Sequence, residues 1–413
     1  MKVIILGAGG RGNTYARYCH ENGIEIAAAA DLNRKKLLDF GARYGIDPAN
    51  LYGDWKEALQ KEKFADAVIN ATPDKVHYES SIAALEKNYH LLLEKPISPS
   101  EQECIELVQR ANDKKLVFMV CHVLRYAPFF EKIKEIVDSG AIGEIINFQL
   151  TENVANWHFA HSYVRGIFRN ERISAPWILA KSCHDLDIVT YITGKRCLSV
   201  VSEGELTHFR EENAPENAPA FCLDGCPHER ECPYFAPKLY LKGINYVGWP
   251  ATTVSVDTSF AARYRELQTG DYGRCVYRCG NDIPDHQSAI FRMEGGMTAT
   301  FNMIGLSSEN TRILRIYGTK GDLQGHLDRN EILLSHFNTG ETKKVEFETV
   351  ETLISSHGGG DFRLIRDFIK AITDNQTSTK ASGLQSLQGH LMGFAAEKAR
   401  KTGRRIEIDL PKL

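Results

Sequence analysis

Two side chains of this sequence have the chemistry and the setting of acid–base groups. Lys95 stands between Glu94 and a proline, directly after a short apolar run that predicts a strand. Burial at a strand end disfavours the ammonium form and makes a lysine a usable acid or base, whereas an exposed salt bridge with Glu94 is the alternative. His184 shares a predicted helix face with Lys181, and Asp187 is spaced to orient its imidazole. A purely structural histidine is the alternative at that position.

A glycine turn near the start of the chain has the spacing of a phosphate-binding loop. Gly7, Gly9 and Gly12 follow an apolar strand in the order G-x-G-x-x-G and precede a helical pattern. The first glycine permits a tight turn, the second lets backbone approach a pyrophosphate, and the third lets the helix pack on the strand. The unpaired N–H groups at the start of such a helix attract phosphate. The turn therefore predicts dinucleotide binding.

The choice of dinucleotide depends on an acidic residue at the end of the second apolar run. Asp31 lies nineteen residues after Gly12, where a carboxylate accepts hydrogen bonds from the hydroxyls of an adenosine ribose. A carboxylate also repels a 2′-phosphate, although the nearby Arg34 softens that repulsion. We therefore expect NAD, with NADP as the alternative.

Alternating strands and helices must position these residues. Apolar runs at 67–71, 90–94 and 116–121 alternate with helical patterns, which predicts a doubly wound parallel sheet. Right-handed crossovers then bring the ends of all strands, with Thr72, Lys95 and His122, to the nucleotide side. The predicted first domain is a Rossmann domain over residues 1–122.

The pattern changes after residue 123. Six runs with strand character, several of them alternating or ending at glycine turns, predict a large, mostly antiparallel open sheet. Helices are predicted near Ile178–Ile192, Phe362–Thr373 and Leu384–Lys401. The second domain is thus an α/β substrate and oligomerisation domain over residues 123–413, with a loop-rich, cysteine-rich insertion near 207–242.

Three cysteines of that insertion have the density of a metal site. Cys222, Cys226 and Cys232 fall within eleven residues with His228 between them. Clustered thiols in a segment with little core of its own suit a structural zinc ion. The C-x3-C-x5-C spacing departs from the commonest zinc ribbon and leaves the fourth ligand unidentified, so an iron–sulfur cluster and free thiols are alternatives.

Composition excludes several classes of partner. The chain has 413 residues, 43% of them hydrophobic, and a net charge of −3, which gives no electrostatic reason to expect nucleic acid or an anionic membrane. It contains no apolar stretch of about eighteen residues and no signal-peptide pattern at its start. We expect a cytoplasmic protein, whose ten cysteines are free thiols or metal ligands rather than disulfides.

Taken together, these motifs resemble the Gfo/Idh/MocA family, which includes glucose–fructose oxidoreductase and inositol dehydrogenase. The motifs that carry the resemblance extend over nearly the whole chain: Gly-Ala-Gly-Gly-Arg-Gly at 7–12, Ala71-Thr72-Pro73 followed by His77, Glu94-Lys95-Pro96, His122 to Arg125-Tyr126, the segments 140–145 and 318–321, and Lys181 to Asp187. The resemblance implies a Rossmann domain followed by an α/β domain whose open sheet makes a homodimer or homotetramer.

The resemblance also implies hydride transfer between a nicotinamide and a hydroxyl- or carbonyl-bearing carbon of a sugar, sugar derivative or cyclitol. Lys95 matches the family's Glu-Lys-Pro lysine, and His184 matches the histidine that works with it. The residues implied at the cofactor are Gly7, Gly9, Gly10, Arg11, Gly12, Asp31, Thr72, Pro73, His77, Glu94 and Lys95.

A stretch dense in aromatic and cationic residues precedes the His184 helix. Sugars are bound by stacking on aromatic rings and by directional hydrogen-bond donors, so this composition suits a carbohydrate. The predicted substrate ligands are Arg125, Tyr126, Trp157, His158, Arg165, Arg169 and His184. The glycine segment 357–361 is either a further ligand-approach loop or a turn that caps the following helix through Asp361.

One departure from the family pattern leaves the reaction open. Many dehydrogenases of the family carry an aspartate four residues before the matching histidine, and this chain has Ala180 there. Lys181, one residue later, suggests a modified proton relay, so Lys181 joins Lys95 and His184 as a catalytic candidate. The alternative is a glycosidase that oxidises a ring carbon transiently with NAD, eliminates the aglycone and adds water. A regulator without catalysis is a third hypothesis, against which the retention of Lys95 and His184 argues.

Overall fold

The computed structural model describes residues 1–243, 246, 248–348 and 359–411. The strands up to Val120 form a six-stranded sheet. The strands lie in the order β3-β2-β1-β4-β5-β6, and every pair is parallel. Their bounds are β1 (Lys2–Leu6), β2 (Glu25–Ala30), β3 (Leu51–Tyr52), β4 (Ala67–Asn70), β5 (His90–Leu93) and β6 (Phe118–Val120). Residues 3–6 of β1 are wholly buried because helices cover both faces, which explains the continuous apolar runs. The predicted doubly wound sheet is confirmed.

Five helices alternate with these strands, at or within a few residues of their predicted positions. They are α1 (Gly10–Glu21), α2 (Arg34–Tyr44), α3 (Trp55–Gln60), α4 (His77–Glu86) and α5 (Glu101–Asp113). Local signals define their starts: the side chain of Asn33 accepts from the N–H of Lys36, and that of Ser100 from the N–H of Glu103. The carboxyl ends of β1, β4, β5 and β6 consequently meet at one edge of the sheet.

The second sheet has nine strands in the order β14-β13-β12-β11-β7-β10-β9-β8-β15. Its pairs are antiparallel except for β7 with β10, which confirms the mostly antiparallel prediction. The bounds are β7 (Ile145–Ala155), β8 (Cys197–Glu205), β9 (His286–Met293), β10 (Thr298–Ser307), β11 (Thr311–Gly318), β12 (Gly321–His326), β13 (Glu331–His336), β14 (Thr342–Lys344) and β15 (Ile406–Glu407). Alternate residues of β9 are buried and exposed, so one face packs on helices and the other faces outward.

Further helices follow β6 in the chain, and the last of them contacts strands of both sheets. They are α6 (Pro128–Asp138), α7 (Asn156–Phe159), α8 (Trp177–Ala180), α9 (Cys183–Thr193), α13 (Gly360–Thr373) and α14 (Gly383–Thr402). The single helix predicted near Ile178–Ile192 is wrong, because α8 ends before Lys181 and α9 begins at Cys183. Helix α14 packs on α5 and α9, and α13 packs on α1, so the C-terminal helices return to the first sheet. The domain boundary at residue 122 stays a prediction.

The segment between β8 and β9, residues 206–285, has no strands among its described residues and is called the insertion below. It contains α10 (Ala236–Tyr240), α11 (Ala251–Val254) and α12 (Phe260–Thr269). A small core of its own holds them together, formed by Cys222, Ala236, Leu239, Tyr240, Val254 and Leu267. Among the described residues, no helix is long and apolar enough to cross a membrane.

Candidate active site

The glycine turn connects β1 to α1, and its three motif glycines have different surroundings. Gly7 has φ +92°, and a Cβ there would lie 2.4 Å from the carbonyl oxygen of Ala71. A Cβ on Gly12 would lie 1.9 Å from the carbonyl oxygen of Gly7, so only glycine lets the helix pack this closely. A Cβ on Gly9 or Gly10 would meet nothing within 4 Å. The turn therefore leaves open space where backbone N–H groups begin α1, which is the geometry that a pyrophosphate needs.

Asp31 lies beside this turn. Its Oδ2 accepts from the N–H of Ala8 at 2.8 Å, and its Oδ1 accepts from the N–H of Asn33 at 2.7 Å. These bonds fix the carboxylate at the carboxyl end of β2, next to the glycines. An acid at this place, an open glycine turn and a free helix start together fit an NAD molecule.

Arg11, predicted at the cofactor, points its guanidinium at protein carboxylates instead. Its Nε donates to Glu94 Oε1 at 2.5 Å, and its Nη2 donates to Asp361 and to the hydroxyl of Tyr15. Glu94 is buried, which acts to raise its pKa, but Arg11 and Lys95 outweigh burial and lower that pKa. Asp361 lies in the first turn of α13, whose N-cap is Gly359, so the capping interpretation of Asp361 is wrong. Residues 357–358 of that predicted glycine loop lie outside the described residues.

His77, also predicted at the cofactor, is wholly buried and joins two loops of the site. Its Nδ1 lies 2.7 Å from the carbonyl oxygen of Pro96, and its Nε2 lies 2.8 Å from that of Thr72. The Thr72-Pro73 loop after β4 is thereby tied to the residue that follows Lys95. Both ring nitrogens of His77 are thus engaged by these loops, and its place at the cofactor stays a prediction.

Lys95 reaches from the end of β5 towards the second half of the chain. Its Nζ donates to the carbonyl oxygen of Ala180 at 2.7 Å, and its backbone N–H donates to Glu94 Oε2 at 2.8 Å. Ala180 is the last residue of α8, immediately before Lys181 and close to His184 in α9. The structure thus brings two predicted catalytic residues, from the first sheet and from α9, to one region.

Three histidine rings pack in a row beside Lys95. The ring of His122 lies 5.5 Å from that of His184 and 5.5 Å from that of His390, edge to face in both cases. His122 is wholly buried, and neither of its ring nitrogens has a hydrogen-bond partner among the described residues. Burial lowers the pKa of His122 well below its usual range, and the charges of Arg125 and Lys95 add to that effect. The sequence does not single out His122 as a site residue, although its place at a strand end was a usable signal.

Lys181 belongs to a network of buried charges on the second sheet. Its Nζ lies 2.9 Å from Glu152 Oε1, and Arg312 Nε lies 2.9 Å from Glu152 Oε2 and 2.6 Å from Asp185 Oδ1. Burial raises the pKa of Asp185 to about 6, although Arg312 opposes this. Lys181 is therefore paired with a carboxylate of the second sheet, directly after the residue that Lys95 contacts.

Arg125 and Tyr126, predicted at the substrate, have protein partners instead. The Arg125 guanidinium forms a two-point ion pair with Asp187, with N–O distances of 2.7 and 2.6 Å, and also donates to the carbonyls of Lys380 and Gln385. The Tyr126 hydroxyl donates to Asp367 Oδ2 at 2.5 Å. These groups fasten the end of the first sheet to α9, α13 and α14. Asp187, predicted to orient His184, is the partner of Arg125.

Arg165 and Arg169 are likewise committed to the insertion. Arg165 is buried and donates to the carbonyl oxygens of Arg274 and Tyr234 at 2.8 and 2.7 Å. Arg169 pairs with Asp271 at 2.8 Å. The bonds that both arginines make to residues of the insertion hold it against the main body, and the substrate role of these arginines stays a prediction.

Trp157, by contrast, is exposed, and His158 beside it is partly buried. Trp157 is 36% exposed, and the centroid of its ring lies 5.3 Å from that of Trp249. His158 Nδ1 lies 2.8 Å from Asn310 Oδ1, and burial together with the Lys181 charge lowers the pKa of His158 to about 4. His158 is thus neutral at pH 7. These aromatic groups lie at the outer end of the same region.

The three cysteines predicted to bind zinc do not form a metal site. Together with His228 they help to line a cavity of about 20 Å³. Cys222 Sγ instead accepts from the N–H of Ala236 at 3.5 Å and from Arg165 at 3.6 Å. Among the described residues, no group of three or more His, Cys, Asp or Glu side chains is arranged to hold a metal ion. The structure gives the zinc prediction no support; Cys222 packs in the core of the insertion, and Cys226 and Cys232 are partly buried free thiols.

Family comparisons agree with this architecture. The Gfo/Idh/MocA model described as an oxidoreductase family with an NAD-binding Rossmann fold matches residues 1–122. The model for the C-terminal alpha/beta domain of that oxidoreductase family matches residues 134–408, well over half of the chain.

Individual proteins are similar at different levels. The oxidoreductase YteT of Bacillus subtilis is 25% identical over 320 residues, which covers 73% of this chain and 71% of YteT. The 2,7-anhydro-N-acetylneuraminate hydratase of Escherichia coli is 27% identical over 139 residues, 34% of this chain and 36% of the hydratase. A solved structure of levoglucosan dehydrogenase in complex with NADH and levoglucosan aligns over 99% of this chain and 100% of its own, with a TM-score of 0.74 and 17% identity, which shows a shared fold.

Proposed function

This chain belongs to the Gfo/Idh/MocA family of oxidoreductases, and we propose that it oxidises a hydroxyl-bearing carbon of a sugar, sugar derivative or cyclitol with NAD. The observation that carries the proposal is the position of Lys95. Its side chain extends from the carboxyl end of β5, next to the predicted nucleotide side, and hydrogen-bonds to Ala180 at the start of the His184 region. A substrate hydroxyl held there would have a proton acceptor on each side, Lys95 from the end of β5 and His184 from α9.

When bound, NAD supplies the hydride acceptor at its nicotinamide ring. The chain's own residues would hold it through the N–H groups of the glycine turn and the carboxylate of Asp31. Lys95 and His184 would orient the hydroxyl and take its proton, and the surrounding buried histidines keep water away from that step. Lys181, whose ammonium is paired with Glu152, is better placed to hold a substrate oxygen than to carry a proton.

The test is a substitution of the lysine. We expect Lys95→Ala to abolish NADH formation at 340 nm in a screen of sugars and inositols while NAD still binds, because Asp31 and the glycine turn are unchanged. Binding is measured separately by titration with NADH fluorescence. Lys87→Ala is the matched control, since that lysine lies on the surface of the same domain at the end of α4 and donates to the carbonyls of Gln60 and Lys61. Unchanged turnover of Lys95→Ala would refute the proposed site.

A second candidate function is a redox-neutral lyase or glycosidase that uses NAD transiently. Two observations support this alternative. The chain is similar to the anhydroneuraminate hydratase, and Lys95 donates to the backbone carbonyl of Ala180, a residue without a carboxylate side chain. A dehydrogenase accumulates NADH with free NAD, whereas this alternative converts a glycoside without net NADH. Product analysis alongside the 340 nm signal separates the two.

We also propose that the chain assembles through the outer face of the second sheet. Ile290 and Ile313 are 52% and 38% exposed on that face. The strand register places Ile290, Thr300, Gln149 and Arg315 in one row across β9, β10, β7 and β11. A face of this kind, apolar in part and with these isoleucines exposed among the described residues, suits a second copy. Light scattering on Ile290→Asp is expected to show a smaller assembly than the original chain, and an unchanged mass would refute this interface.

A further inference from the structure

The insertion places an exposed tryptophan beside the aromatic end of the candidate site. Trp249 is 44% exposed, and its ring centroid lies 5.3 Å from that of Trp157, with 57° between the planes. The ring of His158 lies 4.9 Å from Trp249 and 5.7 Å from Trp157. Three rings from two distant parts of the sequence thus adjoin one another, and both tryptophans are open to solvent.

Trp249 is held in place by the insertion around it. Its carbonyl oxygen accepts from the hydroxyl of Tyr246 at 2.6 Å. The ring of His161 lies 5.2 Å from Trp249 and stacks on Tyr272 at 5.0 Å. His161 is itself fixed by Tyr240, whose hydroxyl lies 2.9 Å from its Nδ1. The exposed ring is therefore supported by buried partners that set its position.

Strand β7 connects these rings to the region of the reactive lysine. Trp157 and His158 lie in α7, which directly follows β7, and Glu152 of that strand lies 2.9 Å from Lys181 Nζ. Lys181 directly follows Ala180, whose carbonyl oxygen accepts from Lys95 Nζ. Polar groups accompany the rings along this path, with Asn310 Oδ1 2.8 Å from His158 Nδ1. Exposed aromatic faces beside hydrogen-bonding edges are the combination that binds a sugar ring, which has apolar C–H faces and polar hydroxyl edges.

We propose that Trp157 and Trp249 form a second sugar-binding subsite, so that the preferred substrate is a disaccharide or longer glycoside. Its reacting ring lies at Lys95 and His184, and the next ring stacks on the two tryptophans. This rests on the proposed function for the identity of the reacting ring. The surface of two indole rings, bordered by a histidine and an ion-paired lysine, is far smaller than the ~800 Å² that each partner buries in a stable protein interface. A small ligand therefore fits this surface better than a protein partner does. The insertion thereby has a role, since it supplies one of the two platform rings.

The experiment compares substrates that have one sugar ring with substrates that have two. Trp157→Ala and Trp249→Ala are assayed with each monosaccharide that is oxidised and with disaccharides carrying that sugar as the reactive unit. We expect either variant to raise KM for the disaccharide about tenfold more than KM for the monosaccharide, as loss of one aromatic stacking contact implies. Phe260→Ala is the matched control, because Phe260 is 40% exposed in α12 of the same insertion and stacks on Tyr264. It should leave both KM values within twofold.

Three results would overturn the subsite. Equal effects on both substrates would place the tryptophans at the reacting ring, and no effect on either would remove them from recognition. A change in mass by light scattering for Trp249→Ala would identify a contact between copies. Titration of intrinsic tryptophan fluorescence with cellobiose, maltose and lactose reports binding without turnover. If those sugars quench the original chain more strongly than Trp249→Ala while no sugar is oxidised, the subsite stands and the proposed function fails.

Discussion

The buried ion pair between Arg125 and Asp187 gives the sharpest test of a structural role against a substrate role. Their side chains are 2% and 1% exposed, and two N–O contacts of 2.7 and 2.6 Å join them. Removal of one partner from such a pair leaves an uncompensated charge and costs about 3–5 kcal/mol of the free energy of unfolding. We therefore predict that Arg125→Met lowers the free energy of unfolding by about 3–5 kcal/mol. Methionine keeps the apolar volume of the side chain and removes its charge.

The same loss should depend on pH. Burial already raises the pKa of Asp187 while Arg125 opposes this, so removal of Arg125 raises that pKa further. A carboxyl group whose folded pKa lies above its unfolded value of about 3.9 destabilises the fold as pH rises from the unfolded pKa through the folded one. The deficit of Arg125→Met relative to the original chain should therefore be larger at pH 8 than at pH 5.

Urea unfolding followed by circular dichroism at both pH values measures this deficit. The double variant Arg125→Met/Asp187→Leu removes both charges and should recover part of the loss at pH 8, because an apolar pair replaces a buried ionic one at little cost. Arg110→Met is the matched control, since its pair with Glu86 is 41% and 44% exposed and should contribute no more than about 1 kcal/mol. A deficit below about 1 kcal/mol, or one that is the same at pH 5 and pH 8, would refute this reasoning.

Two further predictions concern the predicted nucleotide side. Gly12→Ala should lose roughly 1–3 kcal/mol of stability in urea unfolding, because its Cβ would meet the Gly7 carbonyl at 1.9 Å, whereas Gly9→Ala should keep its stability and lose NADH affinity in a fluorescence titration. Equal stabilities of the two variants would contradict this account of the turn. Asp31→Ser should shift the ratio of kcat/KM for NADP over NAD upwards by about tenfold or more, because it removes both the ribose acceptor and the charge that repels a 2′-phosphate. An unchanged ratio would mean that Asp31 does not select the cofactor.

The first sheet could be predicted because its strands are buried on both faces and therefore read as continuous apolar runs. The second sheet was predicted less completely. Strand β12 was not predicted, because its inward residues include Gly321 and Gly325 between polar neighbours and the segment therefore shows no hydrophobic alternation. A Cβ on Gly325 would lie 2.8 Å from the ring of Phe129, so the glycine is needed for packing that only the folded structure reveals. The break at Lys181 also involves a distant partner, because the backbone carbonyl oxygen of Ala180 at the end of α8 accepts from Lys95 Nζ.

The site could be predicted where local sequence determines geometry and not where distant partners do. The glycine turn, Asp31 and Lys95 depend on a strand ending at the right residue, and short-range patterns show this. The role of Arg125 depends on the carbonyl of Lys380, which lies 255 residues further along the chain. Trp249 has no periodic signal of its own and acquires significance only beside Trp157. Cationic and aromatic composition predicted a carbohydrate site. Composition could not distinguish arginines that bind the insertion from the exposed rings of Trp157 and Trp249.

The position of Lys95 depends on parts of the chain that no single motif connects. Glu94 Oε2 accepts the backbone N–H of Lys95, while Glu94 Oε1 accepts from Arg11 in α1. Arg11 in turn pairs with Asp361, which is wholly buried in α13. One guanidinium thus compensates two buried carboxylates, and each carboxylate anchors a different element to the helix that begins at the glycine turn. The strand end that carries Lys95 is fixed to the start of the predicted NAD-binding helix, so α1 and α13 help to position Lys95 relative to the glycine turn as well as the sheet does.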